Sequence, residues 1–316
     1  MIVSVTLNPC IDETLFVDGL LLHDRNEVRL MEVDAGGKGV NLSRIVAELG
    51  AETIALGFLG GGPGAFVRKV LDCQGVRHDF TEIDQDTRTT IIVEDGSGSP
   101  PTVFTQPGPL VSQNHWKEFL ASFDTWLTRS EWLAVGGSVP PGLDADHVVE
   151  LGRRARSAGV PWCLDADGPL FAAGLRAGPD LIKPNRDEAA RWLGSPVTSQ
   201  EDALAAARRL NEAQSLAGAP DPTTIVSLGS AGAVMARPEG CWVGDPIPVT
   251  VRSTIGSGDS MIGAALVRRC LNDPWPVALA WGLAAGAATA MTDGSEIGRR
   301  ADIERLAGQA KVERVS

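Results

Sequence analysis

Residues 254–263, TIGSGDSMIG, set an aspartate directly behind a glycine–serine–glycine turn. Small and apolar residues follow as they would in a helix, so residues 249–254 read as a strand and residues 259–270 as the helix. A strand-to-helix turn leaves backbone N–H groups unpaired at the positive end of a helix. Glycine lets an anion come close to that backbone. Gly256, Ser257 and Gly258 could therefore hold a phosphate or a developing oxyanion. Asp259 would repel a resident phosphate, although it suits the helix dipole as a cap. Its position makes chemical sense if a hydroxyl sits beside it. The carboxylate then takes the proton while the turn stabilises a moving phosphoryl group. A carboxylate at a helix N-terminus is expected to stay ionised at neutral pH. On this motif alone, cap and base both remain open.

Other stretches could serve such a site. Gly36, Gly37, Lys38 and Asn41 lie in DAGGKGVN, where a glycine pair again leads into a helix. Lys38 and Asn41 are three apart and share a face of its first turn. They suit a polyhydroxylated or phosphorylated ligand, or mark an ordinary helix start. In KPNRDE, Asn185 and Glu188 have the spacing of a capping box. The same pair could hold the water shell of Mg²⁺, with Lys183 aimed at phosphates. Ser227, Gly229 and Gly232 in SLGSAG end another strand, and LNPCID places Asp12 just past the first. The carboxyl ends of strands are where open α/β sheets bind ligands.

The elements that must position these residues alternate along the chain. Buried strands are expected at 2–7, 53–58, 132–135, 162–164, 180–182 and 224–228. Helices are expected at 39–49, 63–73, 113–127, 144–157, 185–193 and 199–211. This alternation predicts an α/β fold with a mostly parallel sheet covered on both faces. Residues 14–33 and 86–106 break the pattern with strands and no helices, the second around a turn at 95–99. We expect them to form a small separate sheet, a lid or dimer surface, on a main domain of residues 1–13, 34–85 and 107–316. A pair of surface hairpins is the alternative. Residues 311–316 read as a frayed tail.

The chain has 316 residues, 43% hydrophobic and 22% charged, enough for one large domain. Its net charge of −12 speaks against general binding to nucleic acid or anionic membrane. Five scattered cysteines with no zinc spacing, and no basic leader, point to a reducing cytoplasm. Residues 274–292 carry no charge but are mostly alanine and glycine, which suits a packed core helix better than a membrane span. No Walker loop, dinucleotide GxGxxG, hydrolase GxSxG or protein-kinase set appears.

Taken together, GGKGVNLS (36–43) and STIGSGDSMIG (253–263) resemble the two signatures of the PfkB, or ribokinase-like, carbohydrate kinases. The likeness spans essentially the whole chain. LNPCID, DTRTTIIV, PGPLVS, GGSVPPG and KPNRDE resemble the phosphofructokinase branch of that family. The resemblance implies a three-layer ribokinase-like α/β/α domain with a β-lid that pairs two subunits. It implies ATP-dependent phosphorylation of a sugar phosphate, first fructose 1-phosphate to fructose 1,6-bisphosphate. Tagatose 6-phosphate and fructose 6-phosphate are the alternatives, with a non-phosphorylated sugar or nucleoside after them.

The implied roles follow position by position. Asp259 would be the base, and Gly256, Ser257 and Gly258 the anion hole. Asp12, Gly36, Gly37 and Asn41 would hold sugar hydroxyls. Lys38, Arg88 and Ser138 would lie near the existing phosphate. Lys183, Asn185 and Glu188 would serve ATP phosphates and Mg²⁺, while Ser227, Gly229 and Gly232 would line the nucleotide site. Ser257 stands where the family usually has alanine, Cys10 where alanine is common, and Gly136 where serine is usual. A catalytically silent sensor on the same fold is the reading from another class, and the retained Asp259 argues against it.

Overall fold

A computed structural model describes residues 1–97 and 101–315. In chain order the elements begin with β1 (Ile2–Thr6), β2 (Cys10–Val17), β3 (Val28–Gly36), α1 (Lys38–Glu48), β4 (Thr53–Leu59), α2 (Gly61–Cys73) and β5 (Arg77–Glu82). They continue with β6 (Arg88–Glu94), β7 (Thr102–Thr105), α3 (Gln113–Leu127), β8 (Trp132–Gly136), α4 (Ala145–Ser157), β9 (Trp162–Asp165) and α5 (Gly168–Leu175). After these come β10 (Leu181–Ile182), α6 (Arg186–Leu193), α7 (Gln200–Leu216), β11 (Thr223–Ser227), β12 (Ala233–Arg237) and β13 (Gly240–Gly244). The chain closes with α8 (Ser257–Cys270), α9 (Trp275–Ala290), α10 (Arg300–Ala307) and β14 (Val312–Arg314).

The large sheet runs β14-β13-β12-β11-β10-β9-β8-β1-β4-β5, parallel from β11 to β5 and antiparallel at the other edge. Its central strands are buried throughout: all of IVSVT in β1 and TIALGFL in β4 is covered, as a sheet packed on both faces requires. One core layer gathers Phe58, Phe119, Phe123 and Trp162. The other gathers Ile45, Ile262, Leu266 and Leu279 from α1, α8 and α9. From β1 the chain steps one way to β4 and β5, and later the other way from β8 to β11. The crevice at the carboxyl ends of β1 and β8 is therefore a topological switch point.

A second sheet, β3-β2-β6-β7, joins the two helix-free segments through the parallel pair β2–β6. Its strands reach further than the sequence pattern suggested, starting at Cys10 and ending at Gly36. Asp12 thus sits within a strand, opposite Thr90. Of the expected turn at 95–99, Gly98 and Ser99 lie outside the described residues.

Two expectations fail near the β13 edge. Residues 249–254 alternate like a strand but form none; of their backbone, Arg252 N–H bonds to the Ala290 carbonyl. The edge of β13 is already taken by β14, which lies in the segment expected to fray. β5, α5, α10 and the β12–β13 hairpin were not expected from the pattern. The uncharged stretch 274–292 forms α9, packed in the core. No described helix is long and apolar enough to cross a membrane.

Candidate active site

A cavity of about 690 Å³ opens at the switch point. The ends of β1 and β8, the small sheet, α1 and the start of α8 all contribute to its wall. Asp12, Gly37, Lys38, Asn41, Arg88, Ser138, Glu188, Gly256 and Asp259 line it, far-separated residues brought together by the fold.

The helix carrying Asp259 starts at Gly256, whose φ of 73° is left-handed and favours glycine. No side chain caps this end. The N–H groups of Gly258 and Asp259 in the first turn therefore have no intrahelical partner. Asp259 does not act as the cap that its position allowed. Its Oδ2 instead accepts a hydrogen bond from Asn41 Nδ2 at 2.9 Å. Arg44, buried, approaches Asn41 Oδ1 at 3.5 Å and bonds to the Ala35 and Ser295 carbonyls and to Asp34. That arrangement fixes which way the Asn41 amide faces.

Beneath the turn lies a charge cluster. Lys38 Nζ donates to Asp165 Oδ1 at 3.0 Å, and Lys183 Nζ stands 3.9 Å from the same oxygen. Lys183 is buried and pressed on the Gly258 backbone, where a Cβ would lie 3.0 Å from its ammonium. A buried ammonium beside the positive end of a helix is unfavourable unless an anion joins it, and Asp165 is that neighbour here. Burial opposes charge on Asp165, yet Lys183 and Lys38 hold its carboxyl below the usual range. Burial likewise works against Lys38, but Asp165, Asp259 and Glu188 outweigh it and push the ammonium's pKa up.

Asp259 departs from expectation. Burial, and then the neighbouring Asp165 charge, push its carboxyl up to about 7, against the pull of Lys38, Asn41 and Lys183. It is not fully ionised at neutral pH, because the cost of burial exceeds the help of the helix end. A carboxyl poised there is well matched to general-base work.

Asp12 lines the other side of the cavity. Its carboxylate packs where a Cβ on Gly36 would lie, 2.2 Å from Oδ2, so any side chain at residue 36 would displace it. Burial raises the Asp12 carboxyl while Cys10 and Arg88 pull it down. The Cys10 thiol donates to Asp12 at 3.1 Å, and its pKa is pushed up to about 12, by burial first and then by Asp12. Arg88 Nε donates to the Asn8 carbonyl at 3.1 Å and Nη1 to the Gln106 carbonyl at 3.3 Å.

Of the nucleotide-side candidates Glu188 lines the cavity, while Lys183, Asn185, Ser227, Gly229 and Gly232 are not part of its wall. Asn185 and Glu188 form the reciprocal capping box of α6, at 2.8 and 2.9 Å. Asn185 bridges to Ser227 at the end of β11, and Gly229 and Gly232 bound the turn that follows. Sequence reasoning missed Asp165 because the expected strand stopped one residue short of it. A carboxylate ending a buried strand, like Asp12 after the first, was the available signal. Thr6, Asn8, Thr90 and Asp167 also line the cavity and were not proposed as site residues.

An open α/β sheet with an uncapped helix end, a buried carboxyl and paired lysines at its switch point defines a site for group transfer involving phosphate. Comparison with known proteins agrees. The family described as pfkB family carbohydrate kinase matches residues 5–300. The chain is 30% identical to 1-phosphofructokinase of Escherichia coli K12 over 84% of its length and 83% of the relative's. It superposes on Escherichia coli phosphofructokinase-2, solved with substrates and products, with a TM-score of 0.88, 25% identity and 98% coverage of each chain. Arabidopsis thaliana ribokinase, complexed with ribose and ATP, shares the fold at a TM-score of 0.75, 19% identity, and 97% and 98% coverage. The chain belongs to the pfkB family of carbohydrate kinases and is a sugar-phosphate kinase similar to 1-phosphofructokinase.

Proposed function

We propose that this protein transfers the terminal phosphoryl group of ATP to fructose 1-phosphate, giving fructose 1,6-bisphosphate. The observation that carries the chemistry is Asp259: buried at a helix start, not capping it, and held by Asn41 on the cavity wall. The similarity to 1-phosphofructokinase supports the acceptor. The acceptor oxygen attacks the phosphoryl group, its proton passes to Asp259, and the bond to ADP breaks. Of the expected anion hole, Gly256 and Gly258 offer N–H groups to the moving charge, with Lys183 behind them, whereas the Ser257 N–H is turned to the Thr254 carbonyl at 3.4 Å.

Asp12, Gly36, Gly37 and Asn41 shape the place for the sugar hydroxyls. Arg88 and Ser138 grip the existing phosphate, and Lys38 lies between that end and the transferring group. Ser227, Gly229 and Gly232 form the nucleotide side. Glu188 and Asn185 are the residues that would hold a hydrated Mg²⁺. Glu188 Oε2 serves the cap and leaves Oε1 for an ion's water shell, while Asn185 Oδ1 already accepts from the Glu188 N–H and has one lone pair left for a water. When bound, that ion supplies neutralisation of phosphate charge.

The small sheet acts as a lid over residues 1–13, 34–85 and 107–316, and pairs two subunits. The free cysteines suit a cytoplasmic setting. The likeness to phosphofructokinase-2 supports fructose 6-phosphate as the second acceptor, with tagatose 6-phosphate after it.

The test is ADP release with fructose 1-phosphate, fructose 6-phosphate, tagatose 6-phosphate and ribose, in wild type and Asp259→Asn. Fructose 1-phosphate should give the highest kcat/KM, and Asp259→Asn should lose roughly 10²–10⁴-fold in kcat. Preference for another sugar would overturn the acceptor, and full activity in Asp259→Asn would overturn the base.

A further inference from the structure

Asn8 has no part in the roles given above, yet it touches most of what surrounds the sugar-phosphate end of the cavity. Its Nδ2 donates to Ser138 Oγ and to the Pro107 carbonyl, each at 3.0 Å. Its backbone carbonyl accepts from Arg88 Nε at 3.1 Å. Pro9 follows it, which confines Asn8 to extended backbone and fixes the direction of that carbonyl. Thus Ser138 after β8, Arg88 at the start of β6 and Pro107 after β7 all meet one residue after β1.

The arrangement is not what core packing alone would select. Asn8 is 4% exposed, and its Oδ1 is buried without a hydrogen-bond partner. That oxygen presses on Gly108, where a Cβ would lie 2.2 Å away. Turning the amide over would set oxygen against the Pro107 carbonyl and lose that bond, while the Ser138 hydroxyl could donate in either orientation. The orphaned acceptor is therefore tolerated so that Nδ2 can reach the Pro107 carbonyl as well as Ser138.

We infer that Asn8 is a positioning residue that sets the spacing of Arg88 and Ser138, and so determines how well the enzyme holds the phosphate already on its substrate. The inference rests on the proposed reading that those two residues grip that phosphate. Asn8 itself acts through them.

The experiment measures KM for fructose 1-phosphate, KM for ATP, kcat, and inhibition by inorganic phosphate competing with the sugar phosphate. Asn8→Ala should raise KM for the sugar phosphate roughly 10-fold and weaken phosphate inhibition in parallel. KM for ATP should stay within about twofold. Asn8→Asp keeps the shape but removes the donor and adds a negative charge, so its KM should rise at least as far. Thermal unfolding shows whether each variant is folded. Equal changes in both KM values, a fall in kcat alone, or failure of both variants to fold would overturn the inference and leave Asn8 a structural residue. Arg88→Ala separates the two levels. If it leaves the KM for the sugar phosphate unchanged, the phosphate-grip reading fails and takes the inference with it. If it raises that KM while the Asn8 variants do not, the inference alone fails.

Discussion

Asp259 answers two opposed demands. As a base it must be able to lose its proton near neutral pH, yet its burial beside Asp165 makes the charged form costly. With the carboxyl at about 7, kcat/KM should rise as pH increases through that value and flatten above it. Asp259→Asn should abolish the rise. Stability should move the other way. A carboxyl raised in the folded state binds more protons there than in the unfolded chain between about 3.8 and 7. Folding stability is therefore lost as pH climbs through that window, and the penalty is complete above it. Asp259→Asn removes the buried charge and should stabilise the protein at pH 8, by up to about 4 kcal/mol. The gain should vanish towards pH 4. Chemical denaturation at the two pH values checks this, and a variant less stable than wild type at pH 8 would sink it.

Helices α1 and α8 hold the Asn41–Asp259 bond only because they approach closely. Gly263 makes this possible: a Cβ there would lie 2.1 Å from Ile45 Cγ2 and 3.1 Å from the Leu42 carbonyl. Gly263→Ala should force the helices apart, cost roughly 1–3 kcal/mol, and lower kcat more than it alters either KM. Urea unfolding with steady-state kinetics reads both effects. The glycine signatures, the buried strands and the long capped helices were legible in the sequence because each is a local pattern. That Asp259 does not cap its helix was not, since Asn41, which holds its carboxyl instead, lies far along the chain. Residues 249–254 show the converse. Their alternation is local, but strand pairing is not, and β14 from the tail, not this segment, pairs with β13. Asp165 was hidden in the same way, because its meaning comes from Lys38 and Lys183, which reach it from two other elements.

At the scale of the molecule, the small sheet has one face on the cavity and one facing away. Asp12 and Thr90 share the inner face, where Thr14 and Ile92 are also buried. The register puts Met31, Leu15, Ile91 and Phe104 on the outer face, with Met31 55% and Phe104 57% exposed. Two large, mostly exposed apolar side chains on one face of a small separate sheet are a liability for a lone chain and an asset for an interface. If that face pairs with a second copy, the lid's rigidity depends on the partner, and the cavity below inherits the dependence. If the face does pair, Met31→Lys with Phe104→Lys should turn a dimeric wild type into a single chain in analytical ultracentrifugation. The same variant should raise KM for the sugar phosphate, because Arg88 and Thr90 belong to that sheet, while the fold of the main domain stays intact by circular dichroism. Wild-type activity per subunit should also fall on dilution through the dissociation range. A wild type that sediments as a single chain at micromolar concentration, or a monomeric variant with unaltered kinetics, would separate the lid from any role in assembly.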